Sequence, residues 1–138
     1  MEFNAALASE TEGKSLEPAT LRLGVDKALG DAARCLYFLA EVDGAVAGQT
    51  MVTFEWSDWR NAYFWWIQSV YVKSGLRRRG VFRALHEHIR TQAHAQPDVC
   101  GLRLYVHKDN HRAAQTYRLL GMPVGDYLMC EEDWSAPR

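Results

Sequence analysis

Residues 70–85 read VYVKSGLRRRGVFRAL, with Gly75, Gly80 and the consecutive Arg77, Arg78 and Arg79 between an apolar run and a helical pattern. A strand that empties into a helix in this way sets an arginine- and glycine-rich loop at the helix start. There the first backbone N–H groups have no intrahelical acceptor and the macrodipole is positive, a combination that suits phosphate or pyrophosphate. Gly80 allows an anion to approach the backbone closely. In open sheets, ligands gather at the carboxyl ends of strands, where this loop lies. The same residues also make a solvated, charged helix start, so alone they name no ligand.

Periodicity and turn residues define the elements that position this junction. Residues 3–10 read as a short helix. A second starts near Pro18, carries Leu21, Val25 and Leu29 at helical spacing, and ends at Gly30 and Asp31. LYFLAEV (36–42) reads as a strand and Asp43-Gly44 as a turn. A longer strand then runs through Gln49, Met51 and Thr53 to Trp56, so the pair forms a hairpin. After a polar turn at 57–61, AYFWWIQSVYV (62–72) is a run of strand formers, apolar on both faces and expected at the centre of a sheet.

Val81, Leu85 and Ile89 recur every four residues and predict a helix over 79–96, with Pro97 blocking its continuation. GLRLYVH (101–107) reads as a strand. Asp109 or Asn110 is an N-cap for the stripe Ala113, Tyr117 and Leu120, with Gly121 just past its end. VGDYLMC, after Pro123, reads as a last strand. Hairpins joined to a right-handed strand-helix-strand crossover predict an α+β (mixed α/β) fold, a central mixed sheet with helices on both faces.

A chain of 138 residues suits one domain over 1–138. Sixteen Lys and Arg against seventeen Asp and Glu give a net charge of -1, so bulk electrostatics offer no general attraction to nucleic acid or to anionic membranes. Any anion site is therefore local. Cys35, Cys100 and Cys130 form no CxxC pair, which fits a reducing compartment, and no run has signal-peptide or membrane-span character, so a cytoplasmic protein is expected. His86 and His88, two apart on a helix, face different ways, and His107 and His111 have no partner at ligand spacing, so no metal is expected.

RRRGVF and NHRAAQTYRLLG together make the chain resemble the GNAT superfamily of acetyl-CoA-dependent N-acetyltransferases. Arg77 and Gly80 match the family's pyrophosphate motif, with Phe82 replacing its final Gly or Ala; Asn110, Ala113, Tyr117 and Gly121 match a second motif in register. The likeness runs from about Leu16 to Asp133. It implies a GNAT-like sheet in which the central strand splays from the next parallel strand and opens a slot for the pantetheine arm. Val70, Tyr71 and Val72 would offer that arm backbone hydrogen bonds. The N–H groups of Arg78, Arg79, Gly80, Val81, Phe82 and Arg83 would hold the pyrophosphate. Asn110 would reach the pantetheine amides, and Tyr117 would stand near the thioester sulfur.

The resemblance also implies direct attack by a primary amine in a ternary complex, with no protein nucleophile. A protonated alkyl amine has a pKa near ~10.4 and must first lose its proton. Glu55, beside the turn EWSDWRN, is the first candidate base, and Asp58 the second; both, with Trp56 and Gln68, are expected at the acceptor. Where some relatives carry a catalytic Glu on the central strand, this chain has Trp65, Trp66 and Gln68. Trp56, Trp59, Trp65 and Trp66 read either as a wall for an apolar or cationic acceptor or as ordinary sheet core. A binding module that keeps the acyl-CoA site without turnover, as a sensor or partner-binding subunit, is the alternative function.

Relatives usually begin with a strand that this chain lacks, which leaves LYFLAEV at or near a sheet edge. The expectation is that a second copy covers it, making a homodimer, or that the natural protein begins upstream.

Overall fold

Asp43 and Gly44 both adopt positive φ, 52° and 74°, the backbone of a tight two-residue turn whose twist matches that of its flanking strands. They join β1 (Cys35–Val42) to β2 (Ala45–Ser57) as an antiparallel hairpin in a computed structural model that describes residues 1–134. The chain divides into two compact units, Met1–Tyr105 and the segment from Val106 onward, and each is described by itself.

In the first unit, α1 (Glu2–Glu12) and α2 (Pro18–Leu29) precede the hairpin. Pro18 occupies the first turn of α2, and the Glu17 carboxylate caps it by accepting from the N–H groups of Ala19 and Thr20 at 2.9 and 2.6 Å. β3 (Ala62–Val72) pairs antiparallel with β2. After a 3₁₀ turn (Ser74–Leu76), α3 (Val81–His94) crosses over to β4 (Val99–Leu104), which pairs parallel with β3. The sheet order is β1-β2-β3-β4, so β3 is interior and β1 lies at an edge, as the sequence predicts.

Alternation along the strands separates two faces. One carries Thr50, Val52, Trp65 and Ile67 and packs on Val81, Leu85, Ile89 and Ala93 of α3; Val52, Thr50 and Ile89 are fully buried. Gly48 marks the tightest approach, since a Cβ there would come within 3.2 Å of Val81 and 2.9 Å of the Tyr71 carbonyl. The buried Thr50 hydroxyl is satisfied by donating to the Gln68 carbonyl at 3.0 Å. On the other face α1 covers the end of the sheet nearest Tyr71. Phe3 meets the Tyr71 ring at 5.0 Å, and Asn4 bridges the Tyr37 hydroxyl and the buried Gln49 amide.

In the second unit, α4 (His111–Leu119) starts at Asn110, whose Oδ1 accepts from the Ala113 N–H at 3.1 Å, and is followed by Gly121 at φ 84°.

Three expectations need correction. Helix α3 begins at Val81 rather than residue 79, because Gly80 in the left-handed region cannot be part of a right-handed helix. β4 spans Val99–Leu104 rather than 101–107. Its ladder opens at Tyr63 and Val99, and Tyr105 to His107 have lost the partner that would make them a strand. VGDYLMC forms no strand: it pairs with nothing among the described residues, and Val124, Tyr127 and Leu128 are largely exposed.

Candidate active site

The parallel ladder between β3 and β4 stops at Ile67 and Leu104, yet β3 continues through Gln68 to Val72. A β-bulge coincides with the break: Ser69 and Val70 together oppose Thr50, and Ser69 takes φ 51°. The extra residue bends β3 and sharpens its twist, which carries it away from the line of β4. Beyond Ile67, β3 therefore bonds to β2 on one side, while its other side has no strand partner among the described residues. Val70, Tyr71 and Val72 lie along this open edge. An extended ligand can add there as a strand would, through main-chain hydrogen bonds. The Val72 carbonyl is already engaged, accepting from Arg77 Nε at 2.8 Å.

This edge leads directly into the loop before α3. Arg78 and Gly80 take positive φ, 64° and 82°, and Gly80 is the N-cap with no side chain capping the helix. A left-handed residue followed by a helical one turns successive N–H groups into a shared concavity that suits an anion. A Cβ at Gly80 would meet nothing within 4 Å, so the space above the backbone is open. Arg78, Arg79 and Arg83 are exposed and form no ion pair among the described residues. Backbone donors, an open cradle and three guanidinium groups fit a pyrophosphate. Val81 is buried against the sheet and fixes the helix start, while Phe82 is half-buried beside His86.

Arg77 does something the sequence did not indicate. Its Nη2 donates to Glu10 Oε2 at 2.5 Å, the Tyr71 hydroxyl donates to Glu10 Oε1 at 2.8 Å, and the guanidinium lies 5.5 Å from the Tyr71 ring centroid. The side chain therefore ties α1 to the loop, and the Arg77 backbone N–H donates to the Ser74 carbonyl at 3.3 Å. The bond from Arg77, then that from Tyr71, lowers the Glu10 carboxyl below its ordinary value; the same partnership raises Tyr71 and Arg77.

Beyond the reach of α1, the same sheet face carries Glu55 and Gln68. Glu55 Oε1 accepts from Arg103 Nη1 at 2.6 Å, and its Oε2 accepts from the Trp66 indole N–H. Gln68 Nε2 donates to Thr53 Oγ1 at 2.5 Å. Asp58 lies in the turn beyond β2, where its carboxylate accepts from the Trp59 N–H at 2.9 Å. Arg103 and Tyr105 are the residues the sequence reading missed; their spacing of two with Gly101 on a strand was the available signal.

The tryptophans do not form one wall. Trp65 is buried on the α3 face against Phe54, and Trp56 stands on that face against Tyr63. Trp66 lies on the opposite face, and Trp59 is exposed in the turn. Neighbours on a strand must point to opposite faces, so Trp56 is parted from Glu55 and Trp65 from Trp66.

In the second unit, capping occupies the Asn110 carbonyl oxygen and leaves its Nδ2 without a partner among the described residues. Tyr117, two turns on, is half-buried, and burial raises its phenol above the ordinary value, so it remains a proton donor through the neutral range. No group of three potential metal ligands occurs among the described residues, and no helix there is long and apolar enough to cross a membrane.

Residues 3–122 match the model of the Acetyltransferase (GNAT) family. A solved structure described as a possible acetyltransferase from Clostridium difficile 630 is 44% identical, with a TM-score of 0.88 over 96% of this chain and 87% of that one. A ribosomal-protein-alanine N-acetyltransferase from Brucella melitensis biovar Abortus 2308 shares the fold at 18% identity, TM-score 0.73, over 96% and 92% of the two chains. So does AAC(6')-Iy in complex with the bisubstrate analog CoA-S-monomethyl-acetylneamine, at 14% identity and TM-score 0.73, over 96% and 90%. No curated protein matches the chain. Family model and 44% identical structure agree with the open β3 edge and the arginine-glycine helix start: the chain belongs to the GNAT family of acetyltransferases.

Proposed function

We propose that the protein transfers the acetyl group of acetyl-CoA to a primary amine by direct attack in a ternary complex. The observation that carries this reading is the end of the β3-β4 ladder at Ile67 and Leu104, with the unpaired β3 edge running into the Gly80 cradle. Acetyl-CoA supplies an acetyl group already activated as a thioester. The chain's own contribution is to hold it extended along Val70 to Val72, to take its pyrophosphate at the N–H groups of residues 78–83, and to engage its amides through Asn110 Nδ2.

Glu55, or a water beside Glu55 or Asp58, takes a proton from the amine. The nitrogen lone pair then bonds to the acetyl carbon as the carbon-sulfur bond breaks. The departing electron pair stays on sulfur, Tyr117 supplies the proton that neutralises it, and the proton the nitrogen still sheds as the amide forms returns through water to Tyr117. Tyr117 suits this because burial keeps its hydroxyl protonated. Three free thiols at Cys35, Cys100 and Cys130 support a reducing, cytoplasmic setting.

Release of free CoA thiol on mixing the protein with acetyl-CoA and a panel of amines tests the reading. Amine-dependent release is expected. Tight acetyl-CoA binding with no release from any amine would leave an acyl-CoA sensor instead.

A further inference from the structure

Glu55 pairs with Phe64 across β2 and β3, and Arg103 pairs with Trp66 across β3 and β4, so the two charged side chains converge over one strand on one face. Their 2.6 Å ion pair rests on an aromatic floor. The Arg103 guanidinium lies 3.6 Å from the Phe64 centroid, and Tyr105 stacks on Trp66 at 4.4 Å. Gly101 makes room for this floor, since a Cβ there would come within 2.8 Å of the Phe64 ring. Arg103 and Glu55 keep 35% and 41% exposure, and the other guanidinium N–H groups have no partner among the described residues. A solvent-facing ion pair adds little to stability. What this one presents outward is a fixed anion and a fixed cation side by side.

We propose that the acceptor is a zwitterion, a free α-amino acid with an apolar or aromatic side chain. This rests on the acetyltransferase reading and names its acceptor class. The carboxylate takes the free edge of the Arg103 fork, the ammonium group takes the unused lone pairs of Glu55, and the side chain lies on Trp66 and Tyr105. An ammonium and a carboxylate on one carbon match an anion and a cation held in contact. A polycation would face Arg103 and be repelled. Trp66 stands two residues before Gln68, about 7 Å at the rise of a strand, so the amine is held next to the open β3 edge.

Thiol release is measured with phenylalanine, tryptophan and leucine, with their carboxamides, and with putrescine. The free acids are expected to give kcat/KM at least 10-fold above the amides. Arg103→Met should lower kcat/KM for the acids by about 10- to 100-fold, the range for one charge-assisted hydrogen bond, mainly through KM. It should cost the amides clearly less, since they lose only the ion pair that holds Glu55 and no carboxylate contact. Arg103→Lys, which keeps the charge without the fork, should restore part of the acids' advantage. Amides or putrescine serving as well as the acids would overturn the proposal and leave acetyl transfer standing, as would Arg103→Met affecting acids and amides alike. Thiol release from none of the amines would overturn both.

Discussion

Glu10, on the last turn of α1, accepts a hydrogen bond from Arg77, the first arginine of the loop that opens α3. Helix and loop are thus coupled through one carboxylate, held ionised below its ordinary value of 4.5 by Arg77 first and Tyr71 second. A depressed carboxyl contributes above the unfolded value and ceases to as pH falls through the folded one. Amide exchange in α1 should therefore accelerate below about pH 4.5. Glu10→Gln should exchange faster at neutral pH and lose that acid transition. An identical pH profile in the variant would show that α1 is held by Phe3 and Asn4 alone.

Gly80→Asp should reduce acetyl-CoA affinity by at least about 10-fold in calorimetry with the circular dichroism unchanged, because it places a carboxylate in the anion cradle. Gly80→Asn, neutral and tolerant of the left-handed conformation, should fall between the two. Equal affinity in all three proteins would move the pyrophosphate elsewhere.

Tyr117→Phe is expected to slow acetyl transfer by roughly 10- to 10⁴-fold with acetyl-CoA affinity little changed, the signature of a lost proton donor. Since burial raises this phenol, any alkaline limb due to it lies above its ordinary pKa of 10. Wild-type rates would leave Tyr117 a packing residue.

Glu55→Gln keeps a side chain able to meet Trp66 but removes the anion that Arg103 and an amine require. The rate should fall by about 10²-fold or more and the pH optimum move upward, as deprotonation comes to depend on solvent. An unchanged pH profile would assign the base to Asp58 or to water alone.

Strand β1 ends the sheet with one side unpaired among the described residues, and Leu39 is exposed along it. A second copy covering this edge is expected to give a dimer in sedimentation, with slow amide exchange over 36–42. A stable monomer exchanging fast along that stretch would exclude it.

The hairpin, the interior strand and the cap of α4 were legible because each is written locally: Asp43-Gly44, the eleven strand formers of β3, and Asn110 three residues before Ala113. VGDYLMC shows the limit. A strand is a relation to a partner, and local propensity does not supply one. Glu55 and Gln68 were named from their place near a turn and on the central strand, but Arg103 lies 48 positions from Glu55, and Glu10 lies 67 from Arg77. Such pairings are created by the sheet and appear in no local window. The separation of Trp65 from Trp66 was readable, since alternation alone requires it.

The interrupted ladder has a mechanical consequence. From Gln68 to Val72 one flank of β3 is a seam left open, and the bulge at Ser69 keeps it from being zipped by β4. A molecule that lies in the seam takes over the duty of a missing strand. Under the proposed binding mode, substrate capture and sheet completion are the same event, and occupancy would stiffen the scaffold that orients the reaction. At a free concentration 100 times its dissociation constant, such a ligand adds about 2.7 kcal/mol to stability. Under the proposed binding mode, product departure reopens the same seam while β3 keeps its pairing with β2.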